Sequence, residues 1–522
     1  MSFLPFFSAE TWILLITFIC LFVWHGSSTF GVFEKLGIPG PKPLMYYGTL
    51  TRHNYIYFLA DTECAQKYGR VFGLYEFRKP MLVVTDPDML KTILVKECFT
   101  YFTNRRNFYL NGELYDAVNI AEDDQWRRIR HVLSPSFTSG RIKEMFNIMK
   151  NYSRKLTESL RSKVHNNEVV TIRDLAGAYS MDVMASCAFS VDLDTFKNPS
   201  SPFITHAGKL FRFPIGTYIF AGWFPIFLPL MKLLGISFYN KSSTAFFKRF
   251  VERVRAQRSD DSRQKSRDIF QHMINSQTDG ENKNDKSNHG LTDHEIISQA
   301  TMMVFAGYET NASALTFLAY SLATNPQIMK RLQREIDSTF PNKESIQYEA
   351  LMQMEYLDCV VSECLRLYPP ALRLERVAKE TVKINGVTVP KGMLVMVPVY
   401  ALHRDPELWP EPEEFRPERF SKEKKQHINP YSYLTFGIGP RNCLGMRFAL
   451  AAVKLALVEI LQSYSFSVCE ETEIPLKMSN APILDTDSPI KLKVVKRPDG
   501  DSWDEDIIRE TKAPVLPADI HD

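Results

Sequence analysis

The chain lacks the features that mark several large protein classes. Of 522 residues only eight are cysteine, irregularly spaced and without a CxxC pair, so neither a disulfide framework nor a zinc ribbon can be drawn from them. They read as free thiols in a reducing compartment. No GxGxxG and no P-loop pattern occurs, which leaves the chain without a dinucleotide or phosphate cradle of its own. An excess of one charge is missing too: 63 Lys and Arg stand against 60 Asp and Glu, and a balance of +3 argues against nucleic acid as a partner. Only one long apolar run exists and the mean hydropathy is −0.20, which excludes a polytopic membrane protein. What the chain does have is core material. With 45% hydrophobic and 12% aromatic residues it is far too apolar to be disordered.

The apolar run lies at the N-terminus, from Trp12 to Trp24, and extends back to Phe3 across Ser8, Glu10 and Thr11. No Lys or Arg precedes it, which a cleaved signal peptide would want. The first positive charges, Lys35, Lys42 and Arg52, all follow it, so the positive-inside rule places the bulk of the chain in the cytoplasm. Residues 1–25 are read as a single uncleaved membrane anchor. Residues 26–50 contain Leu36-Gly-Ile-Pro-Gly-Pro-Lys-Pro43, whose prolines forbid helix and predict a stiff, extended connector. Residues 499–522 hold eight acids and two bases and read as a disordered tail, so the positive excess belongs to the preceding residues. It includes Arg127, Arg128 and Arg130, and Lys422, Lys424 and Lys425, a surface that would suit an acidic partner and anionic lipid.

Between the ends, apolar residues at three- and four-residue spacing predict helices over Gln299–Ala323, Gln327–Phe340, Leu351–Leu367 and Arg447–Ser463. Short strands are expected at Met81–Val84 and Lys491–Val495, and a hairpin joins Val382–Ile384 to Val387–Val389 through Asn385-Gly386. The polar stretch 276–290 reads as a long exposed loop. The body, residues 51–498, is therefore mainly α with small β-sheets.

The most informative stretch is Phe436-Gly-Ile-Gly-Pro-Arg-Asn-Cys443-Leu-Gly445. Gly437, Gly439 and Pro440 build a tight non-helical loop, and Cys443 stands before a helix expected from about Leu444, where a thiolate is favoured by free N–H groups. Gly445 would let the backbone approach the sulfur and a metal. Phe436 is suited to shielding the sulfur, and Arg441 to pairing with an anionic cofactor edge.

This stretch resembles the haem-binding signature F-x-x-G-x-R-x-C-x-G of the cytochrome P-450 superfamily. Five fixed positions would recur by chance in roughly one such chain in ten thousand. The resemblance implies the P-450 fold, with haem b lying between a long oxygen-binding helix and the cysteine-loop helix, and Cys443 as the axial ligand of its iron. Thiolate ligation pushes electron density into iron and favours O–O cleavage. Further motifs follow the family's order. Glu363-Cys-Leu-Arg366 with Arg419 of Pro417-Glu-Arg-Phe420 resembles the buried Glu–Arg–Arg network that holds the core. Ala306-Gly-Tyr-Glu309-Thr310 resembles the oxygen-activation motif: Ala306 and Gly307 leave room for a ligand, Thr310 bonds bound oxygen species and Glu309 relays protons. A threonine in a helix often bonds only its own i−4 carbonyl, but beside Glu309 the functional reading is preferred. Trp126 and Arg130 resemble the family's W-x-x-x-R pair on a haem propionate, with Arg105, Arg376 and Arg441 as further propionate partners, while Arg127 and Arg128 are expected on a solvated face.

Over essentially the whole body the chain is most similar to the vertebrate family 3, subfamily A of drug- and steroid-oxidising enzymes, through stretches such as Lys35–Pro41, Val132–Phe137 and Ala306–Asn311. By resemblance Phe108, Asn119, Ile120, Arg212, Phe213, Phe220, Phe305, Ala371 and Leu374 line a large apolar pocket of broad selectivity. Asn119 replaces an expected serine, so regioselectivity does not transfer. The aromatic run 203–227 also suits core packing or membrane contact. The resemblance implies a microsomal monooxygenase of the endoplasmic reticulum membrane that oxidises lipophilic xenobiotics and steroids by hydroxylation or dealkylation. It would use O2 and NADPH-derived electrons from a separate flavoprotein reductase, with cytochrome b5 as a further candidate partner. Two alternatives are a peroxide isomerase of the same fold needing no reductase, which has no use for Glu309-Thr310, and a non-catalytic haem sensor.

Overall fold

The structure, a computed structural model, describes residues 8–49, 56–198, 200–210, 214–260, 268–277 and 290–497. The acidic tail, most of the polar stretch 276–290, and the pocket candidates Arg212 and Phe213 lie outside the described residues.

The N-terminal run forms α1, Ala9–Ser27, capped by the Ser8 hydroxyl. It is the one helix among the described residues long and apolar enough by itself to cross a membrane, and Ile13, Leu14, Phe18 and Trp24 point outward along it. The connector after it is non-helical over 36–43, as its prolines require, and packs on the body. Its first half contains a helical turn, Val32–Lys35, and Phe33 and Ile38 are buried in a cluster with Tyr75, Leu82 and Val84. A Cβ on Gly40 would stand 2.3 Å from the Gly73 carbonyl oxygen, so close backbone packing, not stiffness, sets this segment. Prolines exclude helix locally but leave the apolar side chains between them free to seek a core.

A four-stranded sheet follows from β1 (Val71–Glu76), β2 (Lys79–Val84), β3 (Arg373–Val377) and β4 (Leu394–Pro398), in the order β1-β2-β4-β3. Only β2 and β4 run parallel, with Met81 opposite Leu394. The hairpin at 382–389 forms as expected, Asn385 and Gly386 both taking positive φ.

The helical body is built from α2 (Asp123–Leu133), α3 (Ser139–His165), α4 (Ile172–Phe189), α5 (Ile215–Trp223), α6 (Asp293–Ala323), α7 (Glu355–Leu367) and α8 (Met446–Leu461). Helix α6 is buried on nearly all sides, which is why its sequence shows little amphipathicity. Thr292 and Glu295 form a capping box at its start. Asn325, held out of the helical region (φ −130°, ψ 68°) before Pro326, stops continuation beyond its end. The helix expected over Leu351–Leu367 is two: Tyr348–Gln353 and α7 are separated by Met354 in extended conformation. Periodicity does not register the break, because Met354 interrupts the backbone and not the apolar spacing.

Helix α7 holds Glu363 and Arg366, both with no exposed side-chain surface, in a two-pronged pair at 2.8 Å per bond. Arg419 Nε reaches Glu363 at 3.2 Å, and the Arg416 N–H donates to the same carboxylate oxygen at 2.9 Å. Arg366 also donates to the carbonyls of His403 and Glu414. Every polar end is answered, so the cost of the network lies in breaking it. Arg366→Leu leaves Glu363 charged and buried and is expected to cost about 3–5 kcal/mol of unfolding free energy in chemical denaturation; a loss below about 1 kcal/mol would contradict this reading.

Candidate active site

The loop carrying Cys443 is shaped by backbone that only glycine accepts easily. Gly437 and Gly439 have φ of +67° and +75°, and a Cβ on Gly439 would stand 2.1 Å from the Leu94 carbonyl oxygen. The Cys443 N–H donates to the Phe436 carbonyl at 2.8 Å and closes the loop. Helix α8 starts at Met446 with Gly445 as its N-cap, two residues later than the sequence reading placed it, because the chain still turns through Leu444 and Gly445. The Cys443 side chain presents accessible surface, and the protein around it raises its thiol by desolvation. The Gly445 N–H, Arg130 and Arg105 oppose that rise and favour the thiolate. A Cβ on Gly445 would meet only a ring carbon of Phe137 at 3.9 Å, so no protein neighbour forces glycine there.

Four arginines gather at this loop from three parts of the fold. Arg130, on the face of α2 that also carries the buried Trp126, donates to the carbonyl and side-chain oxygen of Asn442, 2.8 Å each. Arg441 lies over the Trp126 ring at 4.0 Å and donates to the carbonyls of Thr103, Val118 and Ala121. Arg105 donates to the Arg441 carbonyl, and Arg376 on β3 to that of Glu375, leaving Arg376 Nε buried without a partner. Among the described residues Arg105, Arg376 and Arg441 make no ion pair. Burial and mutual repulsion lower Arg376 to about 10 and Arg441 to about 9, and burial lowers Arg105. An orphaned guanidinium N–H, three buried guanidiniums without an ion pair among the described residues and an accessible thiol fit a metal cofactor with an anionic edge.

Ala306, in mid-α6, is exposed within an otherwise buried stretch. Gly307 does not leave ligand space as expected: a Cβ there would strike Met184 of α4 at 2.2 Å, so it serves helix–helix contact. The Thr310 hydroxyl donates to the Ala306 carbonyl at 2.6 Å, the local i−4 bond weighed against its functional reading. Glu309 pairs with Arg173 of α4, which motif reasoning missed because a partner about 136 positions away leaves no local signal. Burial raises the Glu309 carboxyl and Arg173 opposes the rise.

Of the pocket candidates, Ile120 and Phe305 share a buried cluster with Leu114, Ala117, Leu210, Tyr239 and Met302. The Asn119 Oδ1 is buried without a partner. Phe108 lies beneath the Arg106 guanidinium and beside Phe238, and Ala371 and Leu374 are partly buried, Leu374 packing on the β-sheet cluster. Phe220 is not brought to them. It stacks on Phe227, with Ile215, Ile226, Leu230 and Leu233 exposed along the same stretch. This face adjoins α1 through His25 on Phe224, and Tyr46 of the connector meets Trp223, so Phe220 and its exposed neighbours form an outer apolar surface.

Two basic groups are less free than expected. Arg128 pairs with Glu295, and Lys422 and Lys425 pair with Glu355 and Asp358.

A family model described as Cytochrome P450 matches residues 37–494. The chain belongs to the cytochrome P450 family. It is 55% identical over 495 residues to cytochrome P450 3A30 of Fundulus heteroclitus, covering 94% of this chain and 99% of that protein. It is 54% identical over 500 residues to cytochrome P450 3A27 of Oncorhynchus mykiss, covering 95% and 96%, and 49% identical over 499 residues to cytochrome P450 3A29 of Sus scrofa, covering 95% and 99%. Like other P450s it is a haem-thiolate monooxygenase that uses O2 and reductase-derived electrons. The mainly α fold with small sheets and the haem cofactor expected from the sequence are thereby established.

The raised Glu309 carboxyl has a consequence in pH. A carboxyl that binds its proton more tightly folded than unfolded loses stabilising effect as pH rises from its unfolded value, near 4.5, through its folded one, and contributes no further slope above that. Glu309→Gln is therefore expected to gain stability relative to the parent as pH rises through this window, whatever constant offset the loss of Arg173's partner imposes; a difference flat with pH would contradict the burial of this carboxyl.

Proposed function

We propose that this P450 oxidises lipophilic xenobiotics and steroids at the endoplasmic reticulum membrane, with Cys443 as the axial haem ligand. The observation that carries the site reading is a cysteine on a glycine-shaped loop with three buried guanidiniums nearby that, among the described residues, no carboxylate pairs. Arg105, Arg376, Arg441 and Arg130, with Trp126, would hold the propionate edge, and Phe436 the side of the sulfur. The haem supplies oxygen reduction and insertion when bound. Ala306, exposed on α6, would leave room for a ligand. The Thr310 hydroxyl, now bonded to the Ala306 carbonyl, would turn to hold a proton there, and Glu309, raised by burial, would pass protons toward it. Ile120, Phe305 and Asn119 offer substrate an apolar wall with one polar atom.

Helix α1 would cross the membrane with the body on the cytoplasmic side, since Lys35 and Lys42 follow it, and the apolar face at Phe220 and Phe227 would rest on lipid. Electrons would arrive on the Cys443 side from a flavoprotein reductase, with cytochrome b5 as a second donor. Oxidation of an alkyl coumarin ether or a steroid is expected to require NADPH and reductase; turnover of a lipid peroxide alone would support the isomerase reading instead. Thr310→Ala is expected to release more peroxide per NADPH consumed, and unchanged coupling would remove Thr310 from proton delivery.

A further inference from the structure

The Glu363–Arg366 pair and the cysteine loop are in contact through a single imidazole that neither motif contains. His403 follows the turn Val399–Leu402 at the end of β4 and is completely buried. The Leu434 N–H donates to its Nε2 at 2.9 Å, its Nδ1 lies 3.0 Å from the Arg366 carbonyl, and its own carbonyl accepts from Arg366 at 2.7 Å. A backbone N–H can only donate, so Nε2 is the acceptor, and Nδ1 carries the hydrogen that meets the Arg366 carbonyl. The ring is thus neutral in one tautomer and stacked on Tyr433 at 5.4 Å. Burial, with Arg366 and Arg404 nearby, lowers it to about 3, so it remains neutral wherever the protein is folded.

Leu434 opens the loop that ends at Cys443. Its carbonyl accepts from the Gly437 N–H at 2.8 Å, the turn continues through Gly439, and the Phe436 carbonyl accepts from Cys443. On either side, Tyr433 donates to the Ser362 carbonyl and Thr435 to that of Leu365, both on α7. Three consecutive residues at the start of the loop are therefore registered on α7, and the middle one is held through its backbone by His403.

We propose that His403 is a positioning residue for the cysteine ligand: by tying Leu434 N–H to the Arg366 carbonyl it sets the register of the loop on α7, and with it the direction of the Cys443 sulfur. This rests on the reading of Cys443 as the haem ligand. The role differs from simple core filling in being specific to one ring nitrogen. A glutamine amide oxygen reaches about as far as Nε2 and can accept from Leu434, whereas an asparagine amide matches only Nδ1.

The test uses the full-length holoprotein with His403→Gln, His403→Asn and His403→Leu. Each is assayed for total haem, melting temperature, and the fraction of reduced, CO-bound haem that shows the red-shifted band of thiolate ligation. His403→Leu and His403→Asn are expected to lower that fraction relative to total haem by about fivefold, the effect of one lost buried hydrogen bond, while His403→Gln keeps most of it. Leu and Asn variants that melt lower but keep the parent's fraction would overturn the proposal, as would a Gln variant that falls with them. If His403→Leu does not accumulate, equal fractions for Gln and Asn overturn it alone. A parent protein without the red-shifted band would instead overturn the Cys443 assignment.

Discussion

The site depends on positive charge that the protein does not neutralise internally. Arg105, Arg376 and Arg441 converge beside Cys443 without a carboxylate paired to any of them, and their repulsion with burial lowers two of them to about 9 and 10. Elsewhere the fold answers buried charge with buried charge: Glu363 with Arg366 and Arg419, Asp61 with Arg373, Glu309 with Arg173. Leaving three guanidiniums unanswered costs stability unless an anion completes them. A haem carries its two propionates on one edge and its iron at the centre, so under the proposed assignment one ligand would satisfy both the arginines and the thiol.

Holding that arrangement is a task for backbone more than for side chains. The arginines are tethered by carbonyls of Thr103, Val118, Ala121 and Asn442, which fix their heads without cancelling charge. The sulfur is fixed by a loop whose glycines take left-handed backbone and pass within contact of Leu94. Helix α6, which carries Ala306 and Thr310, is kept in place by burial along most of its length and by Gly307 seated against Met184.

Much of this was legible in the sequence because the motifs are local. The cysteine loop, the Glu-x-x-Arg pair and the 382–389 hairpin are each specified within about ten residues, and backbone geometry bears them out. What failed was long-range or depended on direction. Glu309's partner Arg173 and the ring of His403 are brought in by tertiary packing, which no spacing encodes. The break at Met354 kept its apolar period, Gly307 faces a neighbouring helix, and Phe220 points outward with the run it belongs to. The prolines of the connector exclude helix over 36–43 as expected, but proline constrains φ and says nothing about where Phe33 and Ile38 pack.

The most direct measurement is the absorption spectrum of reduced, CO-bound, full-length protein beside its Cys443→Ser variant. The parent is expected to show the strongly red-shifted Soret band of thiolate-ligated haem, and the variant, at equal haem content, to lose it. The same red-shifted band in both proteins would contradict the assignment of Cys443 and, with it, the account of the site.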